Sequence, residues 1–242
     1  VLLVGATDGI GLALARRYLA DGWRVGLVGR SREKLSRVRD RLERQHPDGW
    51  LSPVHCDVTD ASRARPAFEE ALEGMGHLHL MVYCAGVMSN GFSPDERHAA
   101  TSEMLDVNLA GAVHFLELGA DYFVAAGRGQ LASLGSVAGD RGRKGNPGYG
   151  ASKAGLHAYL EGLRHRLQGT GVRVSTVKPG WVATRMLEDA PRAAMEPDAA
   201  AAKIRRGLSR GREVFYVPAW WRLVSVALRV TPRWLYKRIA PE

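Results

Sequence analysis

The first nineteen residues limit the fold of this chain more than any other stretch. The apolar, β-like run Val1–Val4 passes directly into a turn that contains Gly5, Gly9 and Gly11, and residues 12–19 have the apolar spacing of a helix. Glycines in such a turn let the backbone bend tightly and approach a pyrophosphate, while the N–H groups and positive end of the helix bind its charge. The order of strand, glycine turn and helix therefore predicts a dinucleotide site.

The rest of the chain repeats this alternation of strand and helix. β-like runs recur between helical stretches throughout the 242 residues, with no Pro/Gly/Ser-rich spacer, low-complexity tract or convincing internal repeat. The length suits one α/β domain or two small ones, and the missing linker favours one. We therefore predict a single α/β domain over residues 1–242, built on a doubly wound parallel sheet with helices on both faces.

Tyr149 and Lys153 stand four residues apart, which places them one above the other on a helix face. A phenol ordinarily titrates near ~10, but a cation held beside it favours the phenolate and moves its pKa toward neutrality. Upstream, the run 130–139 predicts a buried strand that ends in a small-residue turn with Ser136, whose hydroxyl could hold a substrate oxygen. A Tyr-x-x-x-Lys pair alone is also common on amphipathic helices, so its meaning depends on the glycine turn.

Taken together, the turn Gly-x-x-x-Gly-x-Gly, Ser136 and the pair Tyr149 and Lys153 make residues 1–190 resemble the classical short-chain dehydrogenases/reductases. The resemblance implies a Rossmann-type sheet and a hydride transfer between nicotinamide and a carbonyl or secondary alcohol. Tyr149 would then donate the proton, Lys153 would lower the pKa of Tyr149 and hold the ribose, and Ser136 would polarise the carbonyl. Asn108 matches the family's active-site asparagine, which is expected to hold a helix distortion and a water that relays protons.

The end of the second predicted strand bears on the choice of nicotinamide cofactor. An NAD site usually has a carboxylate there for the adenosine 2′-hydroxyl, whereas this chain has Arg30, which suits a 2′-phosphate. This favours NADP(H), although Arg30 and Arg32 could also simply begin the basic helix 31–46. The complete set of predicted cofactor contacts is Gly5, Thr7, Asp8, Gly9, Ile10, Gly11, Arg30, Asp57, Val58, Ala85, Gly86, Tyr149, Lys153, Pro179, Gly180, Val182 and Thr184.

Two positions depart from the family pattern. Cys84 precedes Ala85 and Gly86 where the family usually has asparagine, and Val4 stands where a threonine is common before the first glycine. The small residues still let the ribose approach, but the asparagine amide must be replaced by another contact.

Composition and motif spacing argue against several other classes of protein. The net charge of +9 comes from 34 basic and 25 acidic residues, but the basic residues are scattered and form no groove-reading or RNA-binding motif. The histidines lack zinc-ligand spacing, so no metal site is predicted. A Ser–His hydrolase is a further alternative for Ser136, but no Gly-x-Ser-x-Gly elbow surrounds that residue.

Cysteine usage indicates the compartment. Cys56 and Cys84 both fall in or at the end of predicted core strands, which indicates reduced thiols rather than a disulfide framework. With no signal peptide recognised before the first strand, we expect a cytoplasmic protein.

The segment after the predicted catalytic helix is expected to carry what is individual to this chain. Residues 185–206 resemble a mobile substrate lid, and residues 213–242 combine tryptophans, aliphatic residues and arginines in a stretch too short and charged to span a bilayer. This C-terminal substrate or interface segment could contact the inner face of a membrane, form a hydrophobic entrance to the substrate site, or pack in the core. Arg141, Arg143 and Lys144 are expected to add positive charge at the mouth of the site.

The resemblance leaves the substrate and the assembly open. The run 138–156 and the tail resemble the branch with decaprenylphosphoryl-ribose 2-keto reductases, which implies a keto-sugar or lipid-linked substrate. A non-catalytic NADP-binding sensor is the alternative, but it would be expected to have lost a catalytic residue. A homodimer or homotetramer is predicted through the helices of Asn108 and Tyr149, with small residues for close packing at Ala151, Ala154, Gly155 and Ala158.

Overall fold

In residues 1–89, 93–187 and 191–239, which the computed structural model describes, seven strands form one parallel sheet in the order β3-β2-β1-β4-β5-β6-β7. The strands are β1 (Leu2–Val4), β2 (Val25–Gly29), β3 (Leu51–His55), β4 (Leu80–Tyr83), β5 (Gly129–Leu134), β6 (Val172–Pro179) and β7 (Val214–Val217). The strand order reverses direction between β1 and β4, and the crevice at the carboxyl ends of strands at such a switch point is where open α/β sheets bind ligands.

The helices connect consecutive strands and cover the sheet. They are α1 (Gly9–Ala20), α2 (Arg32–Gln45), α3 (Ala61–Met75), α4 (Pro94–Leu105), α5 (Gly111–Ala125), α6 (Pro147–Arg166), α7 (Pro197–Ser209), α8 (Trp221–Val230) and α9 (Arg233–Ile239).

Two hydrophobic cores lie on opposite faces of the sheet because successive side chains of a strand point in opposite directions. In β1, Leu3 packs with α1, α2 and α7, whereas Leu2 and Val4 pack with α3, α5 and α6. The predicted fold class, a doubly wound parallel sheet with helices on both faces, is confirmed.

Local capping explains where the helices that flank the cavity begin. Asp8, Ser31 and Asp60 accept backbone N–H groups at the starts of α1, α2 and α3, and Asn146 does the same for α6. A π-helical turn, Asp106–Ala110, lies between α4 and α5.

The C-terminal segment joins the sheet before it reaches the surface. β7 pairs with β6, and Trp221 at the start of α8 is buried against Gly180, where a Cβ would collide with the indole ring. Among the residues that the structure describes, no helix is long and apolar enough to cross a membrane.

Candidate active site

A cavity of about 740 Å³ opens at the carboxyl ends of the strands, beside the switch point between β1 and β4. Its walls come from the glycine turn before α1, the ends of β2, β3, β4 and β5, the start of α6 and the segment after β6. Every predicted cofactor contact lines this cavity, as do Ser136, Tyr149 and Lys153. Asn108 lies just behind the wall, next to Gly86.

The hydroxyls of Ser136 and Tyr149 meet inside the cavity. Ser136 follows β5, and its Oγ accepts the backbone N–H of Ala138 at 3.1 Å, which fixes the turn. Tyr149, in the first turn of α6, has its hydroxyl next to the Ser136 side chain. One turn later, the Nζ of Lys153 donates to the carbonyl of Leu134 at 2.9 Å and lies 5.8 Å from the Tyr149 ring centre.

Burial has the largest effect on the ionisation of this group. It raises the pKa of Tyr149, and Ser136 and the charge of Arg143 oppose that rise. Burial also lowers the pKa of Lys153 to about 8. The Lys153 ammonium group is bound to the Leu134 carbonyl in this structure, and the lowering of the Tyr149 pKa by Lys153 stays a prediction.

Asn108 is fully buried in the π-helical turn between α4 and α5. Its Oδ1 accepts the N–H of Val87 at 2.7 Å, and its Nδ2 donates to the Val87 carbonyl at 2.9 Å and to Ser152 Oγ at 3.0 Å. These bonds tie the loop after β4 to α6, and they explain how an asparagine is retained inside a helical stretch. The expected water relay to Lys153 stays a prediction.

The glycine turn forms a cradle that side chains would fill. Gly5 and Gly9 have φ of 82° and 52°, and a Cβ would collide with Ala85 at Gly5 and lie 3.0 Å from Thr184 at Gly9. The turn ends at the amino terminus of α1, where Asp8 accepts the N–H of Gly9 at 2.8 Å. Close approach of three backbone segments at a helix amino terminus fits the pyrophosphate of a dinucleotide.

The part of the cavity at the end of β2 is basic. Arg30 has 62% of its side chain exposed and lies 3.7 Å from Glu103. Ser31 and Lys34 also line the cavity, because the N-cap bond from the Lys34 N–H to Ser31 Oγ at 3.2 Å starts α2 directly over the end of β2. The predicted set of cofactor contacts contains neither residue, although the N-cap pattern is visible in the sequence. The Asp57 carboxylate accepts the N–H and hydroxyl of Thr59 at 3.0 and 2.9 Å, which holds the turn after β3.

The segment predicted as a substrate lid has two kinds of surroundings. Residues 185–187 line the cavity and 188–190 lie outside the described residues, whereas from Pro197 onward the chain is α7, whose Ala200, Ala201 and Ile204 are fully buried against α1. One face of the part from 197 to 206 therefore packs in the core, and the role of residues 185–206 as a lid stays a prediction. A contact that the sequence did not indicate joins Arg185 to Asp8 of the glycine turn at 2.5 Å.

The basic residues of the loop between Ser136 and α6 lie in different surroundings. Arg143 lines the cavity, as expected. Arg141 does not, because its guanidinium turns to the carboxyl end of α8, where it donates to the carbonyls of Leu228 and Thr231 and covers the Tyr236 ring at 3.8 Å. Carbonyls without partners at a helix end favour such a cation. The expectation that Arg141 adds charge at the mouth is therefore wrong.

Comparisons with known proteins agree with this geometry. A family model described as short chain dehydrogenase matches residues 1–194. An uncharacterized oxidoreductase of Streptomyces coelicolor, from the mprA 5′ region, is 34% identical over 99% of this chain and 95% of its own length. A short chain dehydrogenase from Burkholderia cenocepacia J2315 in complex with NADP superposes with a TM-score of 0.84 at 22% identity, covering 100% of this chain and 97% of that one. A short chain dehydrogenase/reductase from Burkholderia phymatum in complex with NAD also gives 0.84, at 23% identity over 94% and 92% of the two chains.

Proposed function

Because the chain belongs to the short chain dehydrogenase family of oxidoreductases, we propose that it transfers hydride between NADP(H) and the carbonyl or secondary alcohol of a small molecule. The observation that carries the proposal is the meeting of Ser136, Tyr149 and Lys153 in the cavity that also contains the glycine cradle. When bound there, the nicotinamide would supply or accept the hydride.

In the reductive direction, Tyr149 is the proton donor in this proposal. Its hydroxyl lies next to the Ser136 side chain, so one carbonyl oxygen can reach both hydroxyls, and polarisation and protonation act on the same atom. The raised pKa of Tyr149 keeps the phenol protonated at neutral pH, which suits an acid. Lys153, with a pKa of about 8, can hold or release a proton close to neutrality and replace the one that Tyr149 gives up.

The first prediction concerns cofactor choice. NADPH is expected to bind at least about tenfold more tightly than NADH, a difference of ~1.4 kcal/mol, because Arg30 and Lys34 offer positive charge and no carboxylate follows β2 directly. Arg30→Ala should remove most of that preference in a fluorescence titration at moderate salt. Arg32→Ala is the matched control, since Arg32 is exposed and does not line the cavity. Equal affinities of the wild-type protein for both cofactors would overturn the assignment.

The walls of the substrate end support an amphiphilic substrate. Trp181, Met186 and Leu187 offer apolar surface there, while Arg143 offers a cation beside Tyr149. This combination fits a keto-sugar or lipid-linked substrate with an anionic group, in keeping with the resemblance to the decaprenylphosphoryl-ribose 2-keto reductases. NADPH oxidation screened with ketosugars, steroids, quinones and prenyl-linked sugars tests this substrate class.

The proposal includes a cytoplasmic protein that contacts the inner face of the membrane through the α8 ridge, defined as Leu223, Val226 and Val230. These side chains are 75%, 50% and 73% exposed and share one helix face, whereas Trp221 and Ser225 on the opposite face are buried. Trp234 on α9 is 64% exposed. Exposed cations flank this apolar surface at Arg222, Arg229, Arg233, Lys237 and Arg238. An apolar ridge with flanking cations is complementary to an anionic lipid surface.

The second prediction is that the protein co-sediments with phosphatidylserine-containing vesicles and not with neutral ones, and that binding weakens with salt. Each cation near the surface is worth about 1 kcal/mol, so several must act together with the ridge. Leu223→Ser combined with Val230→Ser should abolish binding, whereas Val124→Ser, which changes an exposed apolar residue of α5, should not. Salt-insensitive sedimentation, or sedimentation unaffected by the ridge variant, would refute membrane contact.

Light scattering on the same variants separates the lipid surface from a second subunit. We propose that the homodimer or homotetramer pairs through α5 and α6, where Ala151, Ala154 and Ala158 are exposed. The ridge variant should therefore keep the oligomeric state of the wild type. A ridge variant that became monomeric would assign the ridge to a subunit interface.

A further inference from the structure

His157 lies on α6 one turn beyond Lys153, on the same face as Tyr149. Its Nε2 is 3.3 Å from the backbone nitrogen of Ser136. Because the backbone N–H can only donate, Nε2 must be the acceptor, and the ring proton of a neutral imidazole is then on Nδ1. The sequence showed His157 only as a histidine without metal-ligand spacing.

The backbone around Ser136 is shaped to admit this ring. A Cβ at Gly135 would collide with Nε2 of His157, and one at Gly139 would lie 2.8 Å from Cε1. Glycines therefore stand on both sides of the imidazole, at the two ends of the turn that carries Ser136. The imidazole of His157 fills the space that side chains at Gly135 and Gly139 would otherwise occupy.

A buried charged network lies on the other side of the imidazole. His157 Nδ1 is 3.7 Å from Asp140 Oδ1, and the same oxygen receives a hydrogen bond from Lys178 Nζ at 2.5 Å. Tyr216 donates to Asp140 Oδ2 at 2.8 Å, and the Ser225 side chain of α8 lies beside the same carboxylate. The Asp140 and Lys178 side chains are only 4% and 9% exposed, so this pair is well shielded from solvent.

We infer that His157 is a positioning residue for Ser136, and that the Asp140–Lys178 pair orients its ring so that Nε2 holds the Ser136 backbone N–H. Tyr216 and Ser225 extend the same network to β7 and α8, which makes the C-terminal segment part of the support of the active site. The inference rests on the proposed function only in that Ser136 there binds the substrate oxygen.

The surroundings keep the imidazole in its accepting form. Burial lowers the pKa of His157 to about 3, helped by the charges of Lys178, Lys153 and Arg229 and opposed by that of Asp140. A protonated ring would donate from both nitrogens and could not accept the Ser136 N–H. Nε2 of His157 can therefore accept the Ser136 N–H throughout the neutral pH range.

The test compares His157→Leu, which removes the acceptor, with His157→Gln, whose amide oxygen can take the place of Nε2. We expect His157→Leu to lower kcat by about tenfold to a hundredfold without changing the Kd for NADPH, and His157→Gln to recover most of the loss. In a Ser136→Ala background, His157→Leu should have little further effect, since it acts through Ser136. Additive losses, or equal losses in Leu and Gln variants, would refute the inference.

Nuclear magnetic resonance gives a result that does not depend on turnover. In the wild-type protein, the imidazole nitrogens should report the Nδ1–H tautomer from pH 5 to 8, and the Ser136 amide signal should shift in His157→Leu but stay in His157→Gln. His165→Leu, which changes an exposed histidine of the same helix, should not move it. A ring that titrates near the ordinary value of about 6.5, or an unmoved Ser136 amide, would overturn the inference even if no carbonyl substrate were found.

Discussion

Replacing Tyr149 with phenylalanine is expected to lower turnover by about two to four decades while leaving the affinity for NADPH nearly unchanged. The substitution removes only the hydroxyl that lies next to Ser136 and keeps the ring at the wall of the cavity. Loss of the proton donor acts on the chemical step. Steady-state kinetics on a verified substrate, together with a fluorescence titration of NADPH, separate the two effects.

A matched control for this prediction is present on the same helix. Tyr159 also carries a partly buried hydroxyl, which donates to Glu117 at 2.5 Å, but it does not line the cavity. Tyr159→Phe should therefore leave turnover close to that of the wild type, whereas Lys153→Ala should reduce both turnover and NADPH affinity. Near-normal turnover of Tyr149→Phe would show that another group gives the proton.

The fold and most of the cavity could be predicted because their signals are local in sequence. The glycine turn and the apolar run of β1 each depend on a few adjacent residues, and the parallel sheet then gathers the strand ends at one edge. Tyr149 and Lys153 share a helix face by spacing alone.

The features that sequence reasoning missed depend on contacts between distant segments. The direction of the Tyr149 pKa shift is set by burial, which the sequence of α6 does not reveal. Arg141 turns toward α8 because carbonyls some ninety positions away need a donor there. The network behind Ser136 joins residues of α6, β6, β7 and α8, so no single stretch of sequence contains its pattern.

A substitution in the network of Asp140 and Lys178 is expected to have a large effect on stability. Lys178→Met should lower the free energy of unfolding by about 3–5 kcal/mol, because it leaves the buried carboxylate of Asp140 without its cation. Burial alone would raise the pKa of Asp140, but the hydrogen bonds from Lys178 and Tyr216 hold it below 3.8. Urea unfolding followed by tryptophan fluorescence measures the loss.

The pH dependence and a second substitution identify the cause of that loss. In the wild type, the lowered pKa of Asp140 contributes stability above the unfolded value of 3.8 and loses it as the pH falls, whereas in Lys178→Met the carboxyl is expected to protonate more readily. The difference in unfolding free energy between the two proteins should therefore narrow from pH 7.5 to pH 5.

Adding Asp140→Asn to Lys178→Met should restore much of the stability, since no unpaired charge is then buried. Arg37→Met, which breaks an ion pair with both side chains more than 70% exposed, should leave the unfolding free energy almost unchanged. A Lys178→Met protein as stable as the wild type would mean that Asp140 is not held by this ion pair.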